Sequence, residues 1–146
     1  MASRFSLLAL LGLLVLALAG CGGDNKDEEE AAGSEGATIE CRADAYDGDL
    51  GLPANFPEPA EFVATSSTQE GPTRVVVGYW ESGLDEAYRE WKDEVEKEGF
   101  KVTFDELEEK DSEVAYEGSG HTGIIQLRDR CDEDEVTYVR ITARPE

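Results

Sequence analysis

Residues 73–104, TRVVVGYWESGLDEAYREWKDEVEKEGFKVTF, decide the fold, because they carry the two periodicities that build a two-layer domain. Over 73–80 the β-branched and aromatic side chains predict a strand. Val75, Val77 and Tyr79 fall on one face and Val76 and Trp80 on the other, since side chains alternate along a strand. Apolar groups on both faces predict a central strand covered, at least partly, on each side. The period then changes. Leu84, Tyr88, Trp91 and Val95 form one apolar stripe at helical spacing, which predicts a helix over about 83–98. Ser82 is the expected N-cap, Asp85 and Glu86 suit the positive helix end, and Gly99 after Lys97 is the expected stop. Arg89 with Asp93 and Asp93 with Lys97 are the expected pairs on the wet face. Beyond Gly99, Phe100, Val102 and Phe104 alternate with Lys101, Thr103 and Asp105, the pattern of a half-buried strand.

Working outward, EFVATSST (61–68) reads as a strand closed by a turn at Gln69–Pro72. Downstream, Val114 and Tyr116, then Ile125 and Leu127, then Thr137, Val139 and Ile141 mark further strands, separated by turns at 118–123 and 131–135. Parity groups Ile125, Leu127 and Cys131 on one face. Residues 42–60 are broken by Gly48, Gly51, Pro53, Pro57 and Pro59, with Leu50, Leu52 and Phe56 available to pack. The expected fold is therefore α+β: one helix packed on an antiparallel sheet of about four to six strands, in the order β-β-α-β-β-β(-β). No internal repeat shows a fixed period.

The chain carries 34 acidic against 13 basic side chains, a formal charge of −21. Such a field repels phosphate backbones and anionic headgroups, which argues against nucleic acid as a partner and favours solubility and cationic partners.

Residues 1–20, MASRFSLLALLGLLVLALAG, have the three parts of an export signal: Arg4, an apolar run from Phe5 to Leu18, and small Ala19-Gly20. The run is about fourteen residues, short of the roughly 20 that a spanning helix needs; an uncut N-terminal anchor is the rival reading. Leu18-Ala19-Gly20-Cys21 resembles the lipobox of bacterial lipoproteins. That resemblance implies diacylglycerol on the Cys21 thiol, cleavage before Cys21, often a further acyl chain on the new amine, and residence on the extracytoplasmic face of the cell membrane. Two or more acyl chains anchor stably where one holds marginally. Residues 21–37 then read as a lipidated, acidic, flexible tether, because 22–37 lack any large apolar side chain. A solvated helix over DEEEAA is the alternative. The folded domain is expected over 38–146. With its Leu-Pro-x-x-Phe-Pro segment (Leu52 to Pro57), it is similar to small actinobacterial lipoproteins of unassigned function.

Once Cys21 is lipidated, Cys41 and Cys131 remain. In an exported chain an even pair is most simply a disulfide, here closing a loop of about 90 residues. A redox pair would normally sit close in sequence, and zinc would need more ligands than two thiols and a distant His121.

Asp47-Gly48-Asp49 with Glu58 superficially matches a calcium loop, but Leu52 stands at the glycine position and prolines interrupt it. The acidic runs Asp105–Asp111 and Asp132–Glu135 read as solubilising hairpin tips. His121, the lone histidine, sits in a Gly-rich turn with Ser119 and Thr122, and no nucleophile elbow or phosphate-cradling loop accompanies it. Trp80, Tyr116 and Tyr138 are candidates for an aromatic binding patch on the sheet face away from the helix; the alternative is that residues 42–60 cover them. The expected function is a non-catalytic, lipid-anchored binding or interaction module with an extracytoplasmic protein or small-molecule ligand. No metal and no cofactor is implied. A small envelope hydrolase with a site assembled from distant residues, and a structural envelope protein, are the alternatives.

Overall fold

The computed structural model describes residues 38–146. The expected signal over 1–20, the lipidated Cys21 and the tether over 21–37 lie outside the described residues. The elements are β1 (Phe62–Glu70), β2 (Thr73–Trp80), α1 (Leu84–Lys97), β3 (Lys101–Leu107), β4 (Asp111–Gly118), β5 (His121–Arg128) and β6 (Thr137–Pro145). They form an α+β domain with one helix on an antiparallel sheet ordered β1-β2-β6-β5-β4-β3. Strand β2, expected as a central strand covered on both faces, pairs with β1 on one side and β6 on the other and buries Val75 and Tyr79 as well as Val76 and Trp80. The C-terminal strand β6 inserts between β2 and β5, so the first hairpin and the last three strands are stitched together by the end of the chain.

Helix α1 forms on the apolar stripe, burying Leu84, Ala87, Trp91 and Val95. Gly83, not Ser82, is its N-cap, and no side chain caps it. The Ser82 carbonyl is already engaged by Thr137 Oγ1 at 2.8 Å, which ties that residue to β6. Gly99 ends the helix with φ +88°, the left-handed conformation that glycine adopts without strain. The wet-face pairs are Arg89 with Asp85 and Lys97 with Glu94, not those through Asp93; exposed pairs of this kind add little.

The helix lies over β3, β4 and β5. On that side, Val76, Trp80, Val114, Tyr116, Ile125, Leu127, Val139 and Ile141 form the main core. The lead-in supplies the rest of the cover. Its Pro53–Phe56 turn closes through Phe56 N–H to the Pro53 carbonyl at 3.0 Å, with Asn55 at φ 62°. Phe56 then packs 5.1 Å from Tyr116 and 5.5 Å from Phe100. Ser67 Oγ donates to the Leu50 carbonyl and Ser119 Oγ to the Ala54 carbonyl, pinning this segment to β1 and to the β4–β5 turn.

A second, smaller core lies at one end of the other sheet side: Cys41, Tyr79, Cys131 and Val136, with Ile39, Val63 and Tyr138 against it. The Cys41–Cys131 disulfide spans 5.4 Å between Cα atoms. Beside it Ile39 makes a parallel bridge to Cys131, donating to the Arg130 carbonyl and accepting from Asp132 N–H. Cys131 therefore does not share a face with Ile125 and Leu127, as parity predicts. Strand β5 ends at Arg128, so two-residue alternation no longer governs the side on which Cys131 emerges.

Strand β3 also departs from simple alternation. Its register against β4 shifts between Val102 and Phe104. A bulge inserts one residue and reverses the facing of the residues beyond it. Val102 faces the helix, whereas Phe104 turns outward and is 50% exposed. Asp105 takes the inward position.

Candidate functional site

The three aromatic residues singled out from the sequence do not form a patch. Trp80 and Tyr116 are fully buried under the helix and the lead-in. The Trp80 ring packs tilted against Trp91 with centroids 5.5 Å apart, and the Tyr116 hydroxyl donates to the Thr142 carbonyl at 2.8 Å. Burial pushes the Tyr116 phenol well above its ordinary range. Tyr138 faces the opposite side, because Trp80 pairs with Thr137 rather than with Tyr138. Alternation separates the two faces of β2 but does not say which one the helix takes; Trp91 and Phe56 claim the face carrying Trp80 and Tyr116.

The side left open by the helix is built from cross-strand rows. One row runs Phe104, Ala115, Ile124, Thr142, Val75 across β3, β4, β5, β6 and β2. Phe104 and Ile124, 50% and 36% exposed, are its large apolar members. The next row runs Glu106, Glu113, Gln126, Arg140, Val77. Arg140 Nη1 donates to Gln126 Oε1 at 3.1 Å, and Gln126 Nε2 donates to Glu113 Oε1 at 2.7 Å. The third row, Asp111, Arg128, Tyr138, Tyr79, runs toward the disulfide. There Arg130 lies over the Tyr138 ring and Arg42 over the Tyr79 ring. Arg42 bonds Glu81 at 2.6 Å and also Glu133.

Other candidates resolve into structure. Asp105 belongs to β3, not to a hairpin tip, and accepts from Lys92 Nζ at 2.8 Å and from the Tyr88 hydroxyl. Lys92, and then Tyr88, hold its carboxyl below the usual range, while the bond to Asp105 raises the Tyr88 phenol. This trio ties α1 to the sheet edge. Asp49 Oδ1 accepts from Gly51 N–H at 2.8 Å, a local turn contact within the stretch that resembled a calcium loop. A shallow cleft of about 550 Å³ at the start of α1 is lined by Asp85, Glu86, Asp129, Glu133, Asp134 and Glu135. Among the described residues no cluster has metal-holding geometry.

His121 and Ser119 meet only through a tight hairpin turn, in which Ser119 and Gly120 both have positive φ. The His121 Nδ1 lies 2.9 Å from the Ser119 carbonyl oxygen, while the Ser119 hydroxyl points to Ala54. They are not placed as base and nucleophile.

Sequence reasoning missed Phe104, Ile124 and the arginines of the open side. Nothing local marks the bulge at Thr103. For Arg140 and Arg144 a signal was present, since two cations four residues apart on a strand must share a face. Comparison of the chain with protein-family models, with curated proteins and with solved structures gives no match.

Proposed function

We propose that this chain is an exported, lipid-anchored protein of the cell envelope whose folded part is a non-catalytic binding module, working through the open side of its sheet. Residues 1–21 support the address: a basic start, a short apolar run and a lipobox-like Leu-Ala-Gly-Cys. The observation that carries the binding role is the uncovered row through Phe104, Ala115 and Ile124. The opposite side is sealed by both a helix and a proline-rich segment. Here, by contrast, a bulge interrupts a ladder and turns a phenylalanine into water. Bulges commonly re-aim side chains at working surfaces, and exposed apolar rows mark contacts with other molecules. The partner is an extracytoplasmic protein that buries Phe104 and Ile124, reached from the membrane by the acidic segment 22–37 acting as a tether.

A photoreactive residue placed at 104 or 124 of the membrane-bound protein tests this reading, with position 96 on the wet face of α1 as the control. A discrete adduct from 104 and 124, absent from 96, is expected. No adduct from either would refute the binding role. For the anchor, Cys21→Ala is expected to lose the acyl mass and the membrane fraction together; processing and retention unchanged would overturn the address. The hydrolase alternative draws no support from Ser119 and His121.

A further inference from the structure

Within the described residues the cations of this acidic chain divide into two groups. Arg42, Arg89, Lys92, Lys97 and Lys101 stand within ion-pair distance of carboxylates. Arg74, Lys110, Arg128, Arg130, Arg140 and Arg144 do not, and three of these, Arg128, Arg130 and Arg140, stand beside Tyr138. Arg128 is its direct cross-strand partner on β5. Arg140 follows two residues along β6 on the same face. The Arg130 guanidinium carbon lies 5.6 Å from the Tyr138 ring centroid. Directly opposed side chains start about 5 Å apart, and same-face neighbours along a strand about 7 Å apart, so the three arginines spring from one small area of the open side.

With 34 acidic groups to 13 basic ones, carboxylates are the commonest polar groups available to neutralise an arginine. Those bordering this area are turned elsewhere: Glu113 accepts from Gln126, and Glu133 from Arg42. Asp111 is paired in register with Arg128 but makes no ion pair with it. Arg140 has the neutral Gln126 amide oxygen as its partner, and Arg130 Nε is buried with no partner among the described residues. Half-buried guanidinium groups lose hydration, and clustered like charges repel. Both costs are relieved by an anion held among them.

We propose that Arg128, Arg130 and Arg140, with Tyr138, form a binding site for a small phosphate-type oxyanion. The proposal rests on the reading of the open side as the working surface and names a ligand chemistry at one end of it. The planar, forked guanidinium group matches phosphate oxygens in pairs, and a tyrosine hydroxyl adds a neutral donor. The net charge of −21 restricts the size of the ligand. A long polyanion extends into the negative field of the surrounding surface. A single phosphate group stays among the three arginines, within about one Debye length (8–10 Å) of each.

The lipidated protein in detergent micelles, titrated with sodium phosphate against sodium chloride at matched ionic strength, provides the test. The readout is the NMR signals of Tyr138 and of the arginine side chains. A saturable shift with a roughly millimolar Kd is expected, weakened about tenfold by Arg130→Gln or Arg140→Gln. Arg144→Gln, further along the same face of β6, is expected to change it less than about twofold. Arg128→Gln, at an exposed strand end, serves if a half-buried variant fails to fold. Two arms identify the source of the phosphate. Saturation by glycerol phosphate indicates a soluble ester, and Arg140-dependent binding of the Cys21→Ser protein to phosphatidylglycerol vesicles indicates a lipid headgroup. Absence of a saturable response, or equal weakening by Arg144→Gln and Arg140→Gln, overturns the proposal. Phe104→Ser is expected to leave phosphate binding intact, so loss of the protein adduct and loss of the anion site are separable outcomes.

Discussion

Replacing both Cys41 and Cys131 by alanine removes a cross-link between residues 90 apart in sequence, and the structure sets the expected size of the effect. A loop of that length restricts the unfolded chain by about 4–5 kcal/mol on the loop-entropy account. The bridge also closes the smaller core, where Ile39, Val63 and Tyr138 pack around Tyr79, Val136 and the two sulfurs. A domain of this size commonly has a total stability of about 5–15 kcal/mol, so the double variant is expected to lose a third or more of it. The corresponding fall in Tm is roughly 15–30 °C. Urea unfolding followed by circular dichroism measures both the loss and its origin. If the cross-link acts on the unfolded state, the variant's transition moves to lower urea and steepens, because its unfolded chain exposes more surface. Hydrogen exchange separates global from local effects. A loss below about 1 kcal/mol, with faster exchange confined to residues 38–46 and 129–136, would reduce the bridge to a local clip and rule out its global role.

Gly123→Ala is expected to destabilise by about 3 kcal/mol in the same urea assay. Its Cβ would stand 1.9 Å from the Thr142 carbonyl oxygen and 2.5 Å from the Tyr116 hydroxyl; a near-neutral result would show that β5 can move off β6. Tyr116→Phe is expected to cost about 1 kcal/mol near neutral pH, the net value of a buried hydrogen bond. The same variant changes the alkaline limb. Burial makes the folded protein hold the Tyr116 proton more tightly than the unfolded chain does. Its contribution is complete below about pH 10 and falls away as the pH rises further, so stability should drop less steeply above pH 10 in the variant than in the parent. Asp105→Asn bears on the acid side. Lys92 and Tyr88 depress the Asp105 pKa, so its stabilisation is present above the ordinary carboxylate range and is lost as the pH falls through the lowered value. Stability measured between about pH 2 and 5 should flatten in the variant; an unchanged acid limb would show that the trio does not hold α1 to β3.

The candidate site is less legible in the sequence than the fold, for reasons visible at individual residues. Alternation over 73–80 separates Val76 and Trp80 from Val75 and Tyr79, and the structure keeps that division: Val76 and Trp80 lie in the main core, Tyr79 in the smaller one, and Val75 in the row through Thr142. It cannot say which set the helix covers, so Trp80 and Tyr116 stand as candidates for a surface patch, with cover by residues 42–60 as the alternative, whereas the helix and that lead-in enclose them in the core. The same rule, carried past the ends of its validity, misplaces Cys131 beyond the end of β5 and Phe104 beyond a bulge. Ser82 has the chemistry of a cap, but its carbonyl is taken by Thr137, 55 residues away.

Local spacing and side-chain shape specify the elements: a strand from β-branched runs, a helix from one apolar stripe, its end at Gly99 and an even pair of cysteines. These depend on side-chain shape and spacing within a few residues. Tertiary structure alone decided that β6 lies between β2 and β5 and that the proline-rich lead-in completes the core. It alone turned Phe104, and Arg128, Arg130, Arg140 and Arg144 without carboxylate partners among the described residues, to the open side. Each of those outcomes is set by register between strands distant in the chain, where shifting the pairing by one residue exchanges the buried face for the exposed one.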